Sequence, residues 1–201
     1  MKIEFVFDVV YPFSYIAFQQ LKKTWGDEHL HQVELLPVKM LPEISNDGIN
    51  ILQYLTDKYG TSAAYKKLDQ VKFSAYEQDL VIDLDHMKHM PNSTLAHQAI
   101  LAVDHHLDRF ALTQAIFHAL FVKGLDISNI EVMKNIIDGV GLDPTKIIRN
   151  IQIKDTTQQL KEIYQRIMLL PMHPIPYYLV DGHFYELDGS TLALHKLLNK
   201  S

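Results

Sequence analysis

Residues 11 to 14, Tyr-Pro-Phe-Ser, set a phenol and an aliphatic hydroxyl on either side of a proline and a phenylalanine. Pro12 suits the first turn of a helix, where a missing N–H costs nothing. A helix beginning there offers free backbone N–H groups and the positive end of its dipole near Phe13 and Ser14. That arrangement favours an anion, such as a carboxylate or a thiolate. Tyr11 could donate a phenolic hydrogen bond to it. Ser14 could do the same, or could cap the helix. Phe13 and Tyr15, with Tyr177 and Tyr178 far along the chain, supply aromatic surface for a pocket or for the core. There is no Cys among the 201 residues. Disulfides, thiolate metal sites and thiol nucleophiles are therefore excluded.

Histidines offer the other chemistry. His86 and His89 lie at i, i+3 spacing beside Asp85, a pattern that raises the question of a metal ion. No third convergent ligand is identifiable, so this stretch reads as a solvated loop and no metal site is assigned. "DHHLD", 104 to 108, reads as a helix end and a polar turn.

Composition bounds the partners. Apolar residues make up 47% of the chain, enough for a full core. The net charge is -5 with no basic block, which argues against nucleic acid. The longest apolar runs fall far short of the ~20 residues of a membrane span. "MKIEFVFD" lacks the apolar stretch and cleavage site of a signal peptide. A cytoplasmic location is expected.

The elements that must position Tyr11 and Ser14 follow from periodicity. Residues 2 to 7 alternate, with Ile3, Phe5 and Phe7 on one face and Lys2 and Glu4 opposite, as in a strand. Phe13, Ile16, Ala17, Leu21 and Trp25 then follow helical spacing to Gly26. "QVELLPV", 32 to 38, is a second strand, parallel to the first by the right-handed crossover rule. Five or six helices without a strand pattern fill 39 to 154. Their boundaries are signalled by Gly60, Thr61 or Ser62, Asn92 or Ser93, Gly124, Gly139, Asp143 and Pro144. Asp155 caps a further helix with an apolar stripe of Leu160, Ile163, Tyr164, Ile167 and Met168. "PYYLV" and "HFYEL" flank Asp181-Gly182, a strong hairpin signal. "TLALHKLL" is a final helix. This order predicts an α/β fold: a thioredoxin-like core, 1–38 and 155–201, with an inserted all-helical domain, 39–154.

With that order in place, the sequence resembles the DsbA-like thioredoxin-fold family, most of all its FrnE-like branch. "FDVVYPFSYIAFQQL" resembles the D-x-x-C-P-W-C-Y-x-G opening, and "LTDKYG" the K-Y-G helix end. "PNSTLAH" resembles the N-T-x-x-A-H segment; Asn92 and His97 fall on it and read as helix cap and packing. "IPYYLVDGHFYELDGS" resembles the closing V-P-x-F segment. Kappa-class glutathione transferases and 2-hydroxychromene-2-carboxylate isomerases share this architecture, with S-P-Y-S in place of C-P-W-C. By the resemblance, Ile175–Pro176 is a cis-proline loop facing the helix start, with Ile175 offering a backbone edge to an extended ligand. His173 would border the same cleft as a general-base candidate. Tyr11 and Ser14 stand where the family has its two cysteines. Tyr11 also replaces the first Ser of the isomerases, and "GSTL" lacks their Asn-Asp-Arg.

The functional expectation is a redox-inactive member. It would bind a small thiol, glutathione being the cofactor the resemblance implies, or an extended peptide, using Pro12, Phe13, Tyr15, Ile175 and Pro176. The alternatives are a glutathione-dependent isomerase or transferase acting through Tyr11 or Ser14, and an adaptor that binds a protein partner through its helical face.

Overall fold

A computed structural model describes residues 2–41, 44–84, 87, 89–170 and 174–186. Strand β1 (Ile3–Phe7) leads into helix α1 (Pro12–Trp25), and a 3₁₀ turn over Asp27–Gln32 delivers the chain to strand β2 (Val33–Pro37). β1 and β2 are parallel, with Ile3 opposite Val33 and Phe7 opposite Pro37. On the other side of β1 runs strand β5 (Tyr177–Val180), antiparallel, which turns through Asp181-Gly182 into strand β6 (His183–Glu186). Both turn residues have positive φ, 49° and 81°, the conformation that twists a two-residue hairpin correctly. The sheet order is β2-β1-β5-β6. This is a thioredoxin-like α/β core.

Between β2 and the closing strands the chain is mostly helical: α2 (Ile51–Tyr59), α3 (Thr61–Tyr76), α4 (Thr94–Ala102), α5 (His106–Phe121), α6 (Ile130–Gly139), α7 (Pro144–Ile153) and α8 (Thr156–Met168). The caps follow the sequence. Asp143 accepts from the Thr145 and Lys146 N–H groups, with Pro144 in first position, and Asp155 accepts from Gln158. Asn92 rather than Ser93 does the work before α4: its Oδ1 accepts from Thr94 N–H at 2.9 Å, while its Nδ2 donates to the Ile44 carbonyl at 2.8 Å.

Three details depart from the sequence reading. A two-residue antiparallel pair, β3 (Ile49–Asn50) with β4 (His89–Met90), lies inside the helical stretch. Two residues are too few to carry a period. "DHHLD" does not end a helix; α5 starts at His106, inside it. Glu4, on the face opposite Ile3 and Phe5, is buried because α8 covers that side of the sheet. There Val6, Leu36, Val38, Tyr177 and Leu179 pack under Ile163 and Ile167. Glu4 is held by Lys2, 2.7 Å away, and by Arg166 of α8. Burial pushes the Glu4 carboxyl upward, but the two cations together outweigh it and set its pKa below the usual value. The helix expected over "TLALHKLL" lies outside the described residues.

The opposite face carries the main core. Phe5 and Phe7 stack at 5.1 Å, Phe18 of α1 packs on Phe5 and on Phe117 of α5, and Phe7 also meets Phe117. The inserted helices are thereby anchored to the sheet, which fixes where they sit relative to the start of α1.

Candidate functional site

A cleft of about 950 Å³ opens beside the first turn of α1. One wall is Tyr11, Pro12, Phe13, Ile16, Ala17 and Gln20. The other walls come from α2, α3, Leu84, Met87 and Met90, and Pro174, Ile175 and Pro176 complete it. The α1 residues 13, 16, 17 and 20 form one stripe at helical spacing. The neighbouring stripe, Ser14, Phe18, Leu21 and Trp25, turns into the core and is buried along its length.

This periodicity separates the sequence candidates. Tyr11, Pro12, Phe13, Ile175 and Pro176 meet in the cleft, and the Ile175–Pro176 bond is cis. Ser14 does not join them. It is 0% exposed, and its hydroxyl accepts from the Asp8 N–H at 3.3 Å. The expectation of a second cleft hydroxyl is thus corrected: Ser14 ties the helix start to the end of β1. Tyr15 also faces inward, against the rings of Phe117 and Phe121 at 5.5 Å each. Tyr177 and Tyr178 are core residues. His173, Asp85 and His86 lie outside the described residues. His89 is exposed, with its ring against the Asp47 carbonyl, and no group of three or more metal-ligating side chains forms among the described residues.

Tyr11 is half-buried, and its ring lies 5.4 Å from that of Phe13. Burial, and secondarily Tyr59, push its phenol above the usual tyrosine value. At neutral pH it is a protonated donor and not a phenolate base. The N–H of Phe13, second residue of α1, has no acceptor among the described residues. Donor, free N–H and dipole end converge on one side of the cleft.

The loop that presents Tyr11 is fastened from below. Asp8 and His97, both sealed from solvent, meet at 3.1 Å through Oδ1 and Nε2. The same carboxylate accepts from the Val10 N–H at 3.2 Å and from the Met40 N–H at 2.7 Å. Met40 also lines the cleft. Asp8 therefore ties the Tyr11 loop and the Met40 segment to one buried carboxyl group. Val9 N–H also points at His97 Nε2, at 3.3 Å. One nitrogen cannot accept from Val9 and donate to Asp8 together; the shorter contact, to the carboxyl, assigns the donor role to Nε2. Sequence reading placed His97 as packing and Asp8 only as the residue that closes the first strand. The signal present in the sequence was an acid closing a strand and a histidine in an otherwise apolar helix.

The helical insertion contributes residues to which the sequence reading gave no site role. Lys58 Nζ donates to Tyr54 Oη at 3.0 Å and lies 5.5 Å from the Tyr59 ring centre. Lys67 Nζ sits 4.4 Å from the same ring. Neither lysine has a carboxylate partner among the described residues.

The family profile of the DSBA-like thioredoxin domain matches residues 2–196. A search of curated proteins by sequence finds no match. Among solved structures, the chain is similar to a probable DsbA oxidoreductase from Streptomyces coelicolor, with a TM-score of 0.79 at 18% identity, covering 100% of this chain and 91% of that one. It is similar to a 2-hydroxychromene-2-carboxylate isomerase, with a TM-score of 0.69 at 14% identity, covering 100% and 95%. It is also similar to the cytosolic disulfide reductase DsbM from Pseudomonas aeruginosa, with a TM-score of 0.70 at 14% identity, covering 100% of both chains. No helix among the described residues is long and apolar enough to cross a membrane.

Proposed function

We propose, from the premise that the chain belongs to the DSBA-like thioredoxin domain family, that it is a member without redox chemistry that binds a small thiol or an extended peptide beside Tyr11. Thiol–disulfide exchange requires an attacking thiolate, and this chain has no sulfur nucleophile to supply one. Recognition has different requirements. It needs donors for an anion and a backbone edge for an extended chain, and these do not depend on cysteine.

The observation that carries the reading is the meeting of Tyr11, Phe13 and the 174–176 loop across one cleft. The protonated Tyr11 phenol would donate to a thiolate or carboxylate, and Ile175 would offer its main chain to the ligand. A related structure, DsbM, is described with glutathione, which makes glutathione the first ligand to try.

An isomerase or transferase is the second reading. It is favoured by the same neutral phenol, which could stabilise a bound thiolate during turnover. Ser14 has no part in it, being buried. Calorimetric titration with glutathione and a panel of extended peptides tests binding. No heat at millimolar ligand would end the binder reading. Turnover of a glutathione-dependent isomerisation by the same preparation would move the protein to the second.

A further inference from the structure

We infer that a second cavity, on the far side of the Asp8–His97 pair from Tyr11, is a binding site for a short-chain monocarboxylate received by His97, Lys39 and Lys161. This cavity shares no lining residue with the cleft, so the inference does not rest on the reading of the cleft.

Four observations carry it. First, the end of β2 with the residues after it, α4 and α8 leave a cavity of about 230 Å³ between them. That is below the ~300 Å³ at which drug-sized sites begin, so the occupant is small. Second, the cavity borders a polar side chain with an atom left over. His97 lines it, is 0% exposed and commits Nε2 to Asp8. Its Nδ1 is buried and has no hydrogen-bond partner. Buried polar atoms are nearly always paired, so an orphan on a cavity-lining ring points to an occupant. Third, the charge in the lining has one sign. Lys39 and Lys161 line the cavity, and among the described residues no carboxylate does. Neither lysine has an ion pair among the described residues. Glu162, next to Lys161 on α8, accepts from Gln158 instead. Fourth, Gln98 and Thr157, also in the lining, bond to each other at 2.9 Å, while Pro37, Val38 and Leu160 add apolar surface. A short carboxylate carries its charge on two oxygens and keeps an alkyl body for that surface. Sulfate or phosphate has polar oxygens on every side, and some would be desolvated without a donor.

A carboxylate oxygen accepts, so in the complex Nδ1 carries a proton, as Nε2 does toward Asp8. The proton comes from solvent or arrives with the acid. Asp8 and the bound carboxylate favour the resulting imidazolium, and the two lysines oppose it. Tyr164 is the remaining titratable residue of the lining.

The test is calorimetric titration of the protein with acetate, propionate and butyrate, with chloride and sulfate at matched ionic strength in parallel. The wild type is compared with a Lys39→Gln/Lys161→Gln variant, whose positions are half-buried and exposed, with folding checked by circular dichroism. Nitrogen-15 spectra of the histidine rings give a second readout, the His97 signals being identified by their loss in His97→Gln. The calorimetric comparison does not depend on that variant. At least one carboxylate should bind about ten-fold or more tightly than sulfate, and the double variant should lose about ten-fold or more of that affinity. At saturation both His97 ring nitrogens should carry protons. No carboxylate binding at millimolar concentration, or sulfate binding as tightly as every carboxylate, would overturn the inference. So would undiminished carboxylate affinity in the double variant, which would put the ligand elsewhere. His97 ring signals that ignore saturating ligand, or a bare Nδ1 in the complex, would overturn it as well.

Discussion

His97 Nε2 lies 3.1 Å from Asp8 Oδ1, and neither side chain reaches solvent. Asp8 closes the first strand, and His97 comes from the helical insertion, so this contact joins segments 89 positions apart. Removing the imidazole leaves the buried Asp8 Oδ1 with the Val10 N–H as its remaining donor. His97→Leu should lower the unfolding free energy by about 1–3 kcal/mol. His97→Gln, which keeps a donor, should recover a substantial part of the loss. Urea unfolding followed through Trp25, the single tryptophan and a buried one, measures both. A loss below 1 kcal/mol for His97→Leu would show that the pair does not hold the loop.

Cysteine substitution reads out which way the α1 residues face. Tyr11→Cys puts a thiol in the cleft, and it should be alkylated by iodoacetamide under native conditions. Ser14→Cys puts one in the core, where Ser14 has no exposed surface, so modification should require denaturant. Comparable native labelling at both positions would contradict the stripe that separates residue 14 from 13, 16, 17 and 20.

Tyr11→Phe should leave stability nearly unchanged and weaken any ligand that accepts its hydrogen bond. The loss should be about 0.5–1.5 kcal/mol for a neutral acceptor and up to about 3 kcal/mol for a thiolate. Because the phenol's pKa is raised, by burial first and Tyr59 second, it stays protonated throughout the neutral range. With a carboxylate ligand, which does not itself titrate there, its contribution should therefore be flat between about pH 6 and 9. An affinity that falls as the phenol deprotonates below pH 9 would refute the donor role.

The ion pairs of Glu4 with Lys2 and Arg166 set an acid limb. Although burial alone would raise the carboxyl, the cations hold its folded pKa below the ordinary 4.5. The folded state thus binds fewer protons than the unfolded state in that window. The stabilisation is complete above the ordinary value and fades as pH falls through the folded one. Arg166→Gln should be less stable than the wild type at pH 7, with the gap narrowing toward pH 3. A gap of constant size across a urea series from pH 7 to pH 3 would show that the pair is not the source.

Much of the scaffold was determined by local sequence. The alternation of Ile3, Phe5 and Phe7, the helical spacing from Phe13 to Trp25 and the Asp181-Gly182 turn define the core elements. Asp143 and Asp155 mark helix starts through caps that need no partner elsewhere. The absence of cysteine ruled out exchange chemistry before any contact was known. The meeting of Tyr11 with the Ile175–Pro176 loop was expected from the family resemblance and not from local pattern; in the structure both line one cleft and the bond is cis. What only the tertiary structure decided was how residues face one another across long separations. Ser14 and Tyr11 are three residues apart, yet one is in the core and the other in the cleft, because packing of the neighbouring stripe against β1 and α5 fixes the rotation of α1. Glu4 reads as an outward residue on an alternating strand and is buried because α8 closes over that face. Asp8, His97 and Lys58 fall within stretches that carry the family resemblance, yet their spacing does not give their partners, and Lys67 and the methionines of the cleft carry no pattern. Their roles come from the insertion docking on the sheet, where burial and charge depend on neighbours that sequence spacing does not reveal.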